Sequence, residues 1–143
     1  MKMKRFKSYS PEETFKIAEK FAQEELTGKE IIYLAGELGA GKTLFIKGIA
    51  KVFGISSVEV NSPTFTLMNV YKGNSEIFHL DLYRLTPEEA EEMISDLIGK
   101  GLIILEWGDR LRDDVFEIPA FFIEIKVISE DEREIIIEKI KGD

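Results

Sequence analysis

What this sequence lacks excludes several functional classes. It contains no cysteine, so disulfide frameworks, thiol nucleophiles and cysteine metal sites are all ruled out. It is also short of positive charge: 19 Lys and Arg stand against 27 Asp and Glu, for a formal net charge of −8. Such a chain is not expected to hold nucleic acid on its own, because phosphate contacts need clustered Lys and Arg. No apolar run approaches membrane-spanning length, so we expect a cytoplasmic protein without membrane contact.

The length and composition predict one soluble domain over residues 1–143. Apolar residues make up 44% and charged residues 32% of the chain, values typical of globular proteins. The one basic cluster lies at the start, at Lys2, Lys4, Arg5 and Lys7. We interpret it as a solvated terminus rather than as an RNA-binding arm.

A glycine-rich run, GELGAGKT at positions 36–43, fits the phosphate-binding pattern G-x-x-x-x-G-K-[ST] at every fixed position. Glycines allow the backbone to curl so that successive N–H groups point at phosphate oxygens. Lys42 can place a cation on the β- and γ-phosphates, and the hydroxyl of Thr43 can bind Mg²⁺. The residues predicted to bind nucleotide in this phosphate loop (residues 36–43) are Glu37, Leu38, Gly39, Ala40, Gly41, Lys42 and Thr43.

The segments around the phosphate loop have the order that the motif requires. An apolar strand is predicted over 29–35, directly before the loop, and an apolar helix over 44–53 follows it and ends at Gly54. This strand–loop–helix order makes nucleotide binding the leading hypothesis.

The rest of the chain predicts a mixed α/β architecture. Capping sequences begin helices at Ser10 and Thr86. Strands are predicted over 64–71, 75–82 and 102–105, with a final hairpin formed by 121–128 and 133–140. We therefore predict an α/β sandwich of the P-loop NTPase type, with a central sheet that mixes parallel and antiparallel strands.

Two acidic residues are candidates for the metal and the attacking water. Glu106 ends an otherwise apolar strand, at the position where ligands bind in open α/β sheets, although a solvent-facing Glu is the alternative. Asp81 shares a polar strand face with His79 and Tyr83, and a functional role and a half-solvated strand are equally supported by this pattern. For His79 alone we favour an incidental polar residue on such a strand.

Other residues have weaker indications. Ser62-Pro63-Thr64 precedes a predicted strand, where hydroxyls can act as a nucleotide-sensing switch or simply start a turn. Trp107 could lie against the nucleotide or pack in the core. Three arginines could pair with phosphates or form surface ion pairs: they are Arg84, Arg110 and Arg112.

Four motifs together resemble one family, the TsaE (formerly YjeE) ATPases. They are GELGAGKT at 36–43, SPTFT at 62–66, HLDLYR at 79–84 and EWG at 106–108. The phosphate loop is common to many families, but its combination with the other three is specific, and the resemblance covers nearly the whole chain.

This resemblance implies a function and assigns roles to residues. The family takes part in bacterial biosynthesis of threonylcarbamoyladenosine in tRNA, using ATP and Mg²⁺ and working with a TsaB–TsaD pair. Lys42 and Thr43 would bind phosphate and Mg²⁺, and Asp81 and Glu106 would serve the metal and the water, in an order that the sequence leaves open. Thr64 would belong to a switch-like loop.

The resemblance also implies that Trp107 neighbours the nucleotide. Leu44 replaces a second Thr found in many family members, so its expected contact with the nucleotide is through the backbone only. The tRNA would be held mainly by the partners, in agreement with the acidic charge.

The leading function is a partner-controlled Mg-ATPase, and two alternatives stay open. A small-molecule kinase would usually carry an Arg-rich lid, whereas this chain has five arginines and no evident insertion. A nucleotide-bound assembly module would bind tightly without phosphate release. A GTPase is less favoured, because no Asn-Lys-x-Asp run occurs.

Overall fold

The computed structural model describes residues 3–37, 39–63, 66–107 and 116–142, which form a seven-stranded sheet with helices on both faces. The helices are α1 (Pro11–Glu25), α2 (Lys42–Val52) and α3 (Pro87–Leu97). The strands are β1 (Met3–Ser8), β2 (Ile31–Ala35), β3 (Met68–Lys72), β4 (Glu76–Asp81), β5 (Leu102–Glu106), β6 (Ala120–Val127) and β7 (Arg133–Lys141). A 3₁₀ turn spans Ser57–Glu59.

The strand order is β1-β7-β6-β2-β5-β4-β3. The four inner strands β6, β2, β5 and β4 are parallel to one another, whereas the pairs β3–β4, β6–β7 and β1–β7 are antiparallel. The predicted mixed α/β sheet is thus confirmed. Because β2 lies at the centre of the sheet, the segment that follows it emerges between β5 and β6.

Alternate residues of the inner strands pack into two separate cores. In β2, Ile32 and Leu34 join the core formed with α1 and α2, while Ile31 and Tyr33 join the core beneath α3. All four side chains are fully buried. Continuous apolar strands are expected wherever both faces of a parallel sheet are covered.

A glycine brings α1 and α2 into close contact. A β-carbon at Gly48 would lie 2.5 Å from the carbonyl oxygen of Phe15 and 2.8 Å from Cβ of Ala18. Glycine therefore lets the two helices approach at a distance that no other residue permits, and this packing fixes α2 and the loop that precedes it.

The predicted helix starts are confirmed. The Ser10 hydroxyl accepts a hydrogen bond from the N–H of Glu13 (3.1 Å), and Thr86 and Glu89 form a reciprocal capping box at the start of α3. None of the described helices combines the length and apolar character needed to cross a membrane.

One strand was missed and another was predicted to begin too early. Lys4, Arg5 and Lys7 are exposed, as expected of a solvated segment, but they also belong to a strand, β1, which pairs with β7. No pattern within this segment indicates the strand, because its pairing partner lies more than 100 residues later in the sequence. The strand predicted from residue 64 begins at Met68, after a left-handed residue, Leu67 (φ 67°), which no regular strand accommodates. Residues 64 and 65 lie outside the described part of the chain.

Candidate functional site

The candidate site lies at the carboxyl edge of the parallel strands. The phosphate loop follows Ala35 at the end of β2, while Asp81 and Glu106 are the last residues of β4 and β5. In the sheet register Glu106 pairs with both Leu34 and Asp81. Three chain segments far apart in sequence therefore meet at the position where open α/β sheets bind ligands.

A cavity of about 450 Å³ occupies this edge. Predicted site residues supply most of its lining: Gly39, Gly41, Lys42, Thr43, Leu44, Asp81, Glu106 and Trp107. Ser62, from the loop predicted to act as a switch, and Lys47 complete it. The carboxylates of Asp81 and Glu106 are both about 6% exposed, although they face this cavity.

The phosphate loop has a backbone that depends on glycine. Gly39 (φ 80°) and Gly41 (φ 108°) both lie in the left-handed region, which disfavours other residues. Gly41 is the N-cap of α2, and no side chain caps the first turn. This helix start places the positive end of the helix dipole at the cavity, where it would favour an anion.

Lys42 lies between an acid and an aromatic ring. Its Nζ is 3.9 Å from Oε1 of Glu106 and 4.1 Å from the ring centroid of Trp107, and its side chain is only 7% exposed. A cation removed from water needs such partners. In this position the ammonium group faces the cavity, where a bound phosphate would compete with Glu106 for it.

Trp107 has an unusual backbone conformation. Its φ of 63° is left-handed, which is rare for a bulky residue and costs of order 1–3 kcal/mol. The turn at the end of β5 directs the indole over Lys42 and against the ring of Tyr83, at a centroid distance of 5.2 Å. Trp107 therefore forms a wall of the cavity and also packs against the core beneath α3, so its contact with a nucleotide stays a prediction.

His79 is part of a buried polar chain that reaches Glu106. Its Nε2 lies 2.6 Å from Oε2 of Glu106, and its Nδ1 lies 2.9 Å from the hydroxyl of Tyr71. The preferred prediction for His79, an incidental polar residue on a half-solvated strand, was wrong, because the side chain is completely buried. The polar alternation along β4 marks a face turned toward the site rather than toward solvent.

Arg133 supports the phosphate loop from behind. Its Nε donates to the carbonyl oxygen of Ala40 and its Nη2 to that of Gly39, both at 3.2 Å, while Nη1 donates to three carbonyls of the β6–β7 turn. One guanidinium thus ties the loop to the hairpin. The sequence gave no local indication of this role, since Arg133 is 90 residues from the loop and matches no motif.

The remaining predicted residues are not in the cavity lining of the described structure. Glu37 is exposed, and its carbonyl accepts a hydrogen bond from the N–H of Ala40. Ala40 itself is buried on the side of the loop that faces α1. Four predicted candidates lie outside the described residues: Leu38, Thr64, Arg110 and Arg112. Lys47 was missed, although its position four residues after Thr43 places it on the same helix face.

The oxygen donors present suit Mg²⁺. Thr43 offers a hydroxyl, and Asp81 and Glu106 offer carboxylates, all lining one cavity. Among the described residues, no group of three His, Cys, Asp or Glu side chains is arranged to hold a metal ion by itself. This sparse set fits Mg²⁺ at a nucleotide, where one or two carboxylates are completed by phosphate oxygens and water.

Comparisons with known proteins agree on one family. The model of the family described as "Threonylcarbamoyl adenosine biosynthesis protein TsaE" matches residues 8–135. The protein named TsaE from Aquifex aeolicus is 40% identical over 130 residues, which are 90% of each chain. The one from Bacillus subtilis is 36% identical over 137 residues, 94% of this chain and 85% of the relative.

A solved structure shows the same fold. The crystal structure of YdiB from Bacillus subtilis superposes with a TM-score of 0.75 at 29% identity, covering 97% of this chain and 86% of YdiB.

Proposed function

Because this chain belongs to the TsaE family, whose members are named for tRNA threonylcarbamoyladenosine biosynthesis, we propose that it is a Mg²⁺-dependent ATPase of that pathway. We infer further that it acts on a transferase pair of the TsaB–TsaD type and is slow without it. Contact with tRNA would be indirect, through those partners.

One observation carries the proposal: the phosphate loop and two strand-terminal carboxylates line the same cavity. A phosphate loop alone binds nucleotide, whereas hydrolysis also requires groups at the metal and the attacking water. The register that places Asp81 opposite Glu106 brings those groups beside Lys42 and Thr43.

The chain's own residues would act mainly by positioning and charge. The N–H groups of the phosphate loop and of the first turn of α2 would bind the phosphate oxygens. Lys42 would move from Glu106 toward the γ-phosphate and neutralise the charge that develops there. Trp107 would remain beside the bound nucleotide and limit the access of water.

Mg²⁺, when bound with ATP, would supply charge neutralisation between the β- and γ-phosphates. Thr43 and Asp81 are the residues best suited to hold it. The Asp81 carboxylate lies at the cavity and accepts the N–H of Tyr83 through Oδ1 (2.9 Å). Glu106 is instead fixed by His79 and Lys42, so its role would be to orient the attacking water.

The partner requirement rests on what lines the cavity. In the described part of its wall the cationic side chains are Lys42 and Lys47, and no arginine lies among them. An arginine supplied by another protein commonly accelerates phosphoryl transfer by about 10³–10⁵-fold. Slow intrinsic hydrolysis and strong stimulation by a partner are therefore expected together.

The test is phosphate release from Mg-ATP by the purified chain, alone and with the TsaB–TsaD pair of the same organism. Slow release that the pair stimulates at least tenfold would support the proposal. Tight ATP binding without release in either state would contradict it and favour an assembly module. ADP formed together with a phosphorylated small molecule, in a scan of acceptors, would instead indicate a kinase.

A further inference from the structure

A continuous hydrogen-bonded chain runs from Glu106 in the site to a surface loop. It passes from Glu106 to His79 (2.6 Å), from His79 to Tyr71 (2.9 Å), and from Tyr71 to the backbone of Asn61. His79 is completely buried and Tyr71 is 4% exposed. The proposed function uses Glu106 and its contact with His79, but neither Tyr71 nor Asn61.

Each member of the chain has partners on both sides. The Tyr71 hydroxyl donates to the carbonyl of Asn61 at 2.8 Å, and its oxygen also accepts from Nδ2 of Asn69 at 3.4 Å. Nδ1 of His79 makes a hydrogen bond of 2.9 Å with the same hydroxyl, while Nε2 bonds to Glu106. The two nitrogens of one imidazole ring therefore join the tyrosine hydroxyl to the carboxylate.

Asn61, at the outer end of the chain, is itself next to a residue that lines the site cavity. Asn61 N–H donates to the Tyr71 oxygen at 3.2 Å, and the next residue, Ser62, lines the site cavity. Ser62 also lines a polar surface cleft of about 590 Å³ that includes Asn61, Asn69 and Tyr71. Ser62 thus borders both the cavity and the cleft and is joined by one peptide bond to Asn61, so a ligand in the cavity or a protein on the cleft could act on Asn61 through it.

The geometry points to a regulatory link: Tyr71 and His79 are positioning residues through which segment 61–63 sets the orientation of the Glu106 carboxylate. With Asn61 in place, Tyr71 and His79 hold Oε2, and Oε1 faces Lys42. Withdrawal of Asn61 removes the acceptor of the Tyr71 hydroxyl and one of its donors. The bonds from Tyr71 to His79 and from His79 to Glu106 would then weaken, because linked hydrogen bonds polarise one another. The inference deepens the proposed function, since it presumes that Glu106 serves hydrolysis.

Its primary test does not require turnover. The ¹H–¹⁵N resonance of the Asn61 amide is measured by NMR in the full chain, with and without Glu106→Gln, which weakens the bond from His79 by removing the negative charge. We expect this resonance to move, and the same Glu106→Gln change to leave it unmoved when Tyr71→Phe is also present. The amide of Thr27, which donates to Glu30 at the opposite edge of the sheet, is the control and should not respond.

A second variant, His79→Gln, provides the same test if the Tyr71→Phe variant does not fold. His79→Gln replaces the rigid ring, whose two nitrogens bond to Tyr71 and Glu106 at once, with a flexible amide, so it should also uncouple Asn61 from Glu106. The link would be overturned if the Asn61 resonance did not shift with Glu106→Gln. It would also be overturned if Glu106→Gln shifted this resonance by the same amount with Tyr71→Phe or His79→Gln present as without them. This holds even if the chain hydrolyses ATP as proposed.

Hydrolysis provides the functional readout. Tyr71→Phe should lower the single-turnover rate about three- to tenfold, the range of one hydrogen bond, with the affinity for a non-hydrolysable ATP analogue unchanged within about twofold. Adding His79→Gln should cause no further loss, because both changes break one chain. Tyr9→Phe, at a 56% exposed tyrosine, is the matched control. Parallel losses of rate and affinity, or multiplied losses in the double variant, would show a merely structural role.

Discussion

Asp81 and Glu106 occupy directly opposed register positions at the ends of the parallel strands β4 and β5, and both line the same cavity. Like charges at neighbouring sheet positions repel, so this pair destabilises the protein when no cation lies between them. Lys42, at 3.9 Å from Glu106, offsets part of that repulsion. Because a bound cation would relieve this repulsion between the carboxylates, the site is suited to bind one.

Asp81→Asn should therefore separate stability from activity. We expect the thermal midpoint without nucleotide to rise by about 2–4 °C, since repulsion is relieved while Asn can still accept the N–H of Tyr83. Hydrolysis should fall about tenfold or more, and the Mg²⁺ concentration for half-maximal rate should increase. Calorimetry and a Mg²⁺ titration check this, with Asp96→Asn on the exposed face of α3 as the control.

Glu106→Gln should behave differently. The hydrolysis rate at saturating Mg²⁺ is expected to fall about 100-fold, because the oriented carboxylate is lost, while the Mg²⁺ midpoint changes little. If the Mg²⁺ midpoint moves for Glu106→Gln and stays constant for Asp81→Asn, the two roles assigned here are reversed.

Lys42→Ala tests the phosphate loop itself. Removal of the ammonium should reduce phosphate release by about 100-fold or more, the usual effect of deleting one preorganised charge-stabilising group. Lys51→Ala is the matched control, since Lys51 lies on the same helix with a 59% exposed side chain that pairs with Glu19. Full activity in the Lys42 variant would remove the basis for an ATPase.

Arg133→Gln tests the support behind the loop. Loss of the guanidinium frees the carbonyls of Gly39 and Ala40, and ATP affinity should drop about tenfold, equivalent to the one or two charge-assisted hydrogen bonds that are lost. Arg133→Lys should give an intermediate value, because it keeps the charge but not the fork geometry. Calorimetric titration with ATP measures these affinities. The control is Arg5→Gln, at an arginine on β1 whose side chain is 57% exposed. Equal ATP affinities of Arg133→Gln and the unchanged chain would refute the supporting role of Arg133.

Gly48→Ala tests the contact between α1 and α2. The added methyl group would meet the Phe15 carbonyl and Ala18, and we expect a loss of about 1–3 kcal/mol in the free energy of unfolding. Denaturant melts with Ser95→Ala, at an exposed position of α3, as the comparison, expected to stay within about 0.5 kcal/mol, provide the measurement. An unchanged midpoint would mean that the helices separate easily.

Local patterns predicted the parts of the fold whose causes are local. The phosphate loop, the capped starts at Ser10 and Thr86 and the apolar strand before Glu106 each depend on neighbours in sequence, and they are found where expected. β1 was missed because its basic, exposed residues become a strand only through pairing with β7, about 130 residues later.

Burial of polar groups was harder to predict than their position. Asp81 and His79 were placed on the correct strand face, but their burial depends on Tyr71 and Glu106, which come from two other strands. Arg133 shows the same limit, since the carbonyls that it contacts come from the other half of the chain. Patterns within one strand cannot reveal partners that only the assembled sheet brings together.

The central place of β2 also has a consequence for how the protein folds. Ile31 pairs with Ile103 of β5 on one side and with Ala120 of β6 on the other. Both strands that flank β2 therefore lie more than 70 residues later in the sequence. Contacts of such long range slow folding, because loop-closure entropy is lost before they form. The phosphate loop is held in shape only after both partners have docked, so we expect the capacity to bind nucleotide to be among the last properties the folding chain acquires.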